Sequence, residues 1–233
     1  MESNLQAVSP ISADERHAIT ILRSRLQETM PEGIPDDLNT DFNLNRWIRG
    51  YDHDIDRILQ INQSVFEAFP EYVASRRAAG FDVSDHMERF FEMPSIKPYL
   101  PFIAASRLGD RIWSDQHNAF LFVERAWSQP KEFVKALKCS DYMMHCFGYS
   151  ELLLQYILQR EKIQKADKGA VQFIVIFDMS DVNISDYLNP ISTHMKLWQL
   201  RSDMWQDWYV VLRLFIDGKM VDGYNAIEQK FGF

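Results

Sequence analysis

The sequence predicts an α/β protein in which an N-terminal helical bundle precedes an α/β sandwich, and three observations predict it. The stretch from Val171 to Ser185 opens on an unbroken apolar run, Phe173 to Phe177, rich in β-branched and aromatic residues. Such a run suits a strand buried on both faces of a sheet. A polar turn then leads into a helix-like segment, Tyr187 to Trp208, and a buried strand feeding a long helix is the unit of a layered α/β fold. Upstream, three helix-like segments fill residues 12 to 70.

The elements follow in order. Ser12-Ala-Asp-Glu15 reads as a capping box, a hydroxyl at the N-cap with a carboxylate three residues on. Ile19, Leu22, Leu26 and Met30 then recur at helical spacing until Pro31, Gly33 and Pro35 stop the helix. A second helix starts near Thr40 or Asp41 and carries Phe42, Leu44, Trp47 and Ile48. Residues 50 to 54 read as a turn, and a third helix presents Ile55, Ile58, Leu59, Val65, Phe66 and Phe69 on one face. Pro70 is placed to end or kink it.

Ser84 is positioned to cap a short helix running to Phe91. Residues 93 to 103, with Pro94, Pro98 and Pro101, read as a linker or hinge-like entry. Phe120 to Val123 is a short strand set off by Asp115 to Asn118. Pro130 to Leu137 is a short helix and Asp141 to Lys165 a long one, with Leu152, Leu153, Tyr156 and Ile157 on its apolar face. Tyr209 to Ile216 has strand character, Asp217-Gly218 is a hairpin turn signal, and Met220 to Phe231 is expected to be a short helix.

Composition bounds the function. The 233 residues suffice for one large domain or a small and a medium one, and 46% hydrophobic residues support a substantial core. Thirty-three acidic against 25 basic residues leave a net charge of −8, which argues against nucleic acid as a partner and against broad attraction to anionic membranes, though not against a local basic patch. Cys139 and Cys146 read as reduced thiols on one helix, with no Cys or His pair at zinc spacing. The first residues do not form a signal start and no apolar run reaches membrane-span length, so a cytoplasmic protein is expected.

The segment Asp41-Phe-Asn-Leu-Asn-Arg-Trp-Ile-Arg-Gly50 resembles the second helix of the CRAL-TRIO N-terminal domain, with its Asp-x-x-Leu-x-Arg-Trp/Phe-Leu-Arg pattern. Leu121-Phe-Val-Glu-Arg125 resembles the family's Val-Tyr-Ile-Glu-Arg strand, and Ile174-Val-Ile-Phe-Asp178 its central strand. The three blocks stand in the family's order. The resemblance implies a CRAL-TRIO N-terminal helical domain over residues 12–75 and a CRAL-TRIO-like lipid-binding domain over 95–233. A sheet face and helices would enclose an apolar cavity for a phospholipid or other hydrophobic small molecule, loaded at transient membrane contacts, with no cofactor and no bond-making residues.

This chain departs from the family pattern in three places. Tyr51 and Asp52 stand where phosphatidylinositol-binding members carry cations, and a carboxylate repels a phosphate. Arg49 and Arg57 lie nearby and read as solvated helix charges. Phe173 and Val175 stand where phosphatidylcholine-binding members place hydroxyls, and Phe122 replaces the strand tyrosine. The expected pocket is therefore more apolar, with Phe122, Leu153, Tyr156, Phe173 and Val175 as its walls. After Trp208 the family's closing motifs are missing, so the C-terminal part reads as incomplete, and a relative acting only as a protein-interaction module is the alternative.

Enzyme signatures are missing: there is no Gly-x-Gly-x-x-Gly, Walker loop or Gly-x-Ser-x-Gly. Asp52-His53-Asp54 and the acidic Asp178, Asp181 and Asp186 read as helix-start, turn and cap residues rather than metal ligands. The chain is expected to be a carrier, not an enzyme.

Overall fold

In the computed structural model, residues 10–50, 63–83, 85–102, 112–125, 130–165, 168–178, 210–216 and 219–222 are described. They fall into two compact units. One draws on residues between Val8 and Glu88 and between Ser150 and Ala170. The other draws on Arg89 to Tyr149 and on the chain from Val171 onward.

The helical unit begins at α1 (Ala13–Thr29), whose N-terminus is the capping box read from the sequence. The Ser12 hydroxyl accepts from the Glu15 amide at 3.2 Å, and the Glu15 carboxylate accepts from the Ser12 amide at 2.8 Å. Two otherwise unsatisfied helix-end donors are thereby satisfied. Ala18, Ile19, Leu22 and Leu26 form its buried stripe. Helix α2 (Asp41–Gly50) starts where the sequence places it, with the Thr40 hydroxyl accepting from the Asn43 amide at 3.1 Å.

Helix α3 (Gln63–Ala78) contains Pro70 in its interior and continues beyond it, so the proline does not end the helix. Its true stop is a left-handed turn at Gly80 (φ 69°), after which the Phe81 amide donates back to the Arg76 carbonyl at 2.9 Å. A glycine adopts that φ without steric cost. Trp47 meets Phe69 edge-on, with ring centroids 5.1 Å apart, and joins α2 to α3.

The sheet unit takes in the end of a one-turn helix, α4 (His86–Arg89), which runs into a 3-10 turn, Phe90–Glu92. Ser84, the expected cap, lies outside the described residues. The segment read as a linker is an anchored passage. A 3-10 turn spans Lys97–Tyr99, Ile96 and Tyr99 are buried, and the Tyr99 hydroxyl donates to Asp141 at 2.8 Å. Its prolines fix backbone angles that suit a tight turn, and Ile96 and Tyr99 supply the burial that a linker lacks.

Five strands form one sheet in chain order: β1 (Ile112–Ser114), β2 (Ala119–Arg125), β3 (Gln172–Asp178), β4 (Val210–Ile216) and β5 (Lys219–Asp222). The two central pairings, β2–β3 and β3–β4, are parallel, and the two outer pairings are antiparallel. Two helices, α5 (Pro130–Ala136) and α6 (Cys139–Ile163), lie between β2 and β3 in the chain. Cys139 and Cys146 both sit on α6 as free thiols.

Strand β1 is too short to show a period and is not legible in the sequence. It turns into β2 through Asn118 at φ 48°, a left-handed conformation that asparagine tolerates. Met220 lies in β5, not in a helix. Ile216 is paired with Lys219 across the two residues Asp217 and Gly218, so the hairpin signal prevails over helical spacing. The expected helix from Tyr187 to Trp208 and the segment from Gly223 on lie outside the described residues.

The C-terminal part of α6 groups with the N-terminal helices. Glu151, with a side-chain exposure of 0%, accepts from Tyr72 Oη at 2.6 Å and from Arg76 Nε at 2.7 Å, and Arg76 also pairs with Asp37. Removing one partner of a buried charged pair costs about 3–5 kcal/mol, because the other is left without compensation. Glu151→Leu is accordingly expected to lower unfolding stability by about that much in urea titrations, while Glu151→Gln, which keeps an acceptor, costs distinctly less. Equal losses for both variants would show that the charge, and not the acceptor, is what matters.

Candidate functional site

The parallel core of the sheet sets out an apolar surface row by row. Phe120 is paired with Phe173 and Phe173 with Val210; Phe122 is paired with Val175 and Val175 with Leu212. Register partners share a face and alternate residues along a strand return to it. Phe120, Phe122, Phe173, Val175, Val210 and Leu212 therefore occupy positions on one face and carry no hydroxyl, amide or charge; the next row of that face is Glu124, Phe177 and Leu214, where the apolar rows end at a carboxylate position. The Phe120 and Phe173 rings stack at 5.7 Å with an interplanar angle of 29°, and Trp113 of β1 meets Phe120 edge-on at 4.9 Å. Phe173 and Ile174, on opposite faces, are both buried. The start of β3 thus has the two-sided burial that its composition predicts.

The structure brings three of the five predicted wall residues, Phe122, Phe173 and Val175, onto this single face. Leu153 and Tyr156 are on α6 in the helical unit, Leu153 buried and Tyr156 half-buried.

The helical unit also holds polar chemistry that the sequence pattern does not reveal. Burial pushes the Glu151 carboxyl up, against the opposing pull of Arg76, Tyr72 and Gln155. Burial and then the Glu151 charge push the Tyr72 phenol well above its ordinary value. Burial alone would disfavour the Arg76 cation, but Asp37 and Glu151 more than offset this and hold it charged. The cluster is a tie between helices, with its charges spent on one another.

The arginines of the Asp41–Gly50 motif are also engaged internally. Arg46 forms a two-pronged pair with Glu161 of α6, with one contact, Nη1 to Oε2, at 3.1 Å. Arg49 Nε donates to Glu15 Oε1 at 2.7 Å, with only 9% of the Arg49 side chain exposed. The expectation of a solvated Arg49 is corrected. Its guanidinium is held by the carboxylate whose other oxygen closes the capping box, and a half-buried pair of this geometry outcompetes solvation. Arg57, Tyr51 and the Asp52-His53-Asp54 cluster lie outside the described residues. Among the described residues no group of three or more His, Cys, Asp or Glu side chains is placed to hold a metal ion, and no helix is long and apolar enough to cross a membrane.

No protein-family model matches the chain. A CRAL-TRIO domain-containing protein of Caenorhabditis elegans is 58% identical to it over 217 residues, 92% of this chain. The chain belongs to the CRAL-TRIO family. It spans about half the length of that relative, 52%. As a CRAL-TRIO chain, it folds as a mixture of helices and a small sheet, in keeping with an α/β class. Its Arg-Trp-Ile-Arg helix is tied to α1 and α6 by ion pairs.

The Glu15 pair gives a pH signature. Partial burial alone would raise the Glu15 carboxyl, but the Arg49 hydrogen bond, the Ser12 amide, the Arg49 charge and Asn45 bring it down to about 2 from 4.5. A carboxyl depressed on folding stabilises the protein above its unfolded pKa and loses that contribution as pH falls through the folded value. Thermal midpoints are therefore expected to decline from pH 4.5 towards pH 2. Glu15→Gln should lower the midpoint at neutral pH and make the acid decline shallower. An unchanged acid slope in that variant would assign the decline to other carboxyls.

Proposed function

We propose that this chain is a carrier, not an enzyme, that holds a hydrophobic small molecule or phospholipid against the apolar sheet face and exchanges it at transient contacts with membranes. The observation that carries the reading is the pair of apolar rows across β2, β3 and β4, Phe120 with Phe173 and Val210 and Phe122 with Val175 and Leu212, present in a member of the CRAL-TRIO family. Members of that family generally bind or transfer ligands and do not catalyse reactions on them.

The physical basis is burial. Each methylene taken from water contributes about 0.8 kcal/mol, so a long chain held against such a face offsets its removal from a bilayer. Phe122, Phe173 and Val175 are the proposed ligand-binding positions on the sheet face, and Leu153 and Tyr156 are those proposed on α6. The division into a helical domain at 12–75 and a ligand domain at 95–233, and a cytoplasmic location, belong to the same proposal. With Arg46 and Arg49 already paired, an anionic head group has no free cation to meet on the Arg-Trp-Ile-Arg helix. The ligand is one whose head is small or neutral.

Native mass spectrometry of the purified chain, with organic extraction of anything bound, tests this. A hydrophobic molecule held one-to-one supports it. A protein that stays empty after incubation with vesicles and cell extract refutes it. Val175→Thr adds a hydroxyl to the central strand at almost constant volume, and uptake is expected to shift towards phosphatidylcholine. Unfolding stability should fall by about 1–3 kcal/mol if the hydroxyl finds no partner.

A further inference from the structure

The C-terminal tip of α6 presents chemistry that neither the sheet face nor the arginine pairs use. Ile163, the last residue of the helix, has 74% of its surface exposed, the most of any large apolar residue among those described. Lys162, Lys165 and Lys168 surround it in sequence and are all exposed, and none of their ammonium groups has an ion-pair partner among the described residues. Of the acids in this stretch, Glu161 is committed to Arg46, and Asp167 lies outside the described residues.

Hydrogen bonds tie the end of the helix to Lys168 and Gly169. The Gln164 amide N–H donates to the Arg160 carbonyl and its side-chain amide to the Gly169 carbonyl, both at 3.1 Å, and the Lys168 amide N–H donates to the Lys165 carbonyl at 3.1 Å. The helix dipole accounts for cations at this end. It does not account for a bare isoleucine among them. An apolar side chain set among lysines with no ion-pair partner in the described residues matches the boundary of an anionic bilayer, where the ammonium groups meet lipid phosphates and carboxylates and the hydrocarbon enters the acyl edge. The net charge of −8 sharpens this, because a chain repelled overall by an anionic surface approaches through its basic tip.

We propose that Lys162, Ile163, Lys165 and Lys168 form the surface through which the protein docks on an anionic membrane. The inference deepens the carrier reading, which requires a membrane contact, and is tested separately from it.

The full-length chain is floated with vesicles of phosphatidylcholine alone and of equal parts phosphatidylcholine and phosphatidylserine. Binding is expected only to the second kind and should weaken with added salt. Each lysine near such a surface is worth about fivefold, so the triple variant Lys162→Gln, Lys165→Gln, Lys168→Gln should partition about a hundredfold less. Ile163→Ser should lose about tenfold while keeping its salt dependence. All four positions are exposed, so thermal midpoints should stay unchanged.

Undiminished flotation of the triple variant overturns the proposal. So does flotation by neither protein, or a lysine-dependent binding to single-stranded RNA without vesicle binding. Ligand recovery by native mass spectrometry is scored on the same samples. A wild-type protein that carries a ligand but does not float removes the docking surface and leaves the carrier reading standing. One that floats by its lysines but never carries a ligand does the reverse.

Discussion

The carboxylate of Glu151 is the constraint on which the helical unit depends. It sits at full burial on α6, takes the Tyr72 hydroxyl on one oxygen and Arg76 on the other, and through Arg76 reaches Asp37. A charge in that position is tolerable only while its donors hold station. The tie therefore fixes α3 against α6, beside the apolar contribution of Leu152, Leu154 and Leu158. Apolar packing supplies most of the stabilisation of such a unit but is indifferent to small rotations of a helix. The directed hydrogen bonds of Glu151 are not, and they set which residues of α6 face inward.

A second theme is the economy of charge. Glu15 closes the α1 cap with one oxygen and holds Arg49 with the other, at 2.7 Å, while Glu161 takes both prongs of Arg46. The motif that carries the family resemblance thus works as a structural joint. Its two arginines bridge to α1 and to α6, each to an acid more than thirty positions away. The first rows of the sheet face show the opposite economy: Phe120, Phe173 and Val210, then Phe122, Val175 and Leu212, carry no polar group, and only the next row brings in Glu124 beside Phe177 and Leu214. The arginines of the motif go to assembly, and the first two rows of the sheet face make no polar demand.

Local patterns were legible in the sequence, and long-range partners were not. The capping box at Ser12 and Glu15, the start of α2 after Thr40, the strands around Phe120 and Phe173 and the Asp217-Gly218 hairpin all follow from neighbours within a few positions. The Arg49–Glu15 pair does not, because nothing in spacing distinguishes a paired arginine from a solvated one. Pro70 was legible as a helix breaker, yet the helix runs through it, since packing of Phe69 and Val73 on either side outweighs one lost hydrogen bond. Strand β1, three residues long, is visible only through its partner. Of the candidate walls, Phe122, Phe173 and Val175 share a face because a two-residue period is strict. Leu153 and Tyr156 came from helical spacing, which identifies an apolar stripe but not what covers it.

The order of the strands has a consequence for how the chain reaches its folded state. The hairpins β1–β2 and β4–β5 join neighbours in sequence, so their closure entropy is small. The parallel pairs at the centre join strands far apart in sequence, with α5 and α6 lying between β2 and β3. Those pairings form only after long loops close, which makes them the slow contacts of the sheet. The aromatic row of Phe120 and Phe173 spans such a pairing, so its burial waits on a long loop closure.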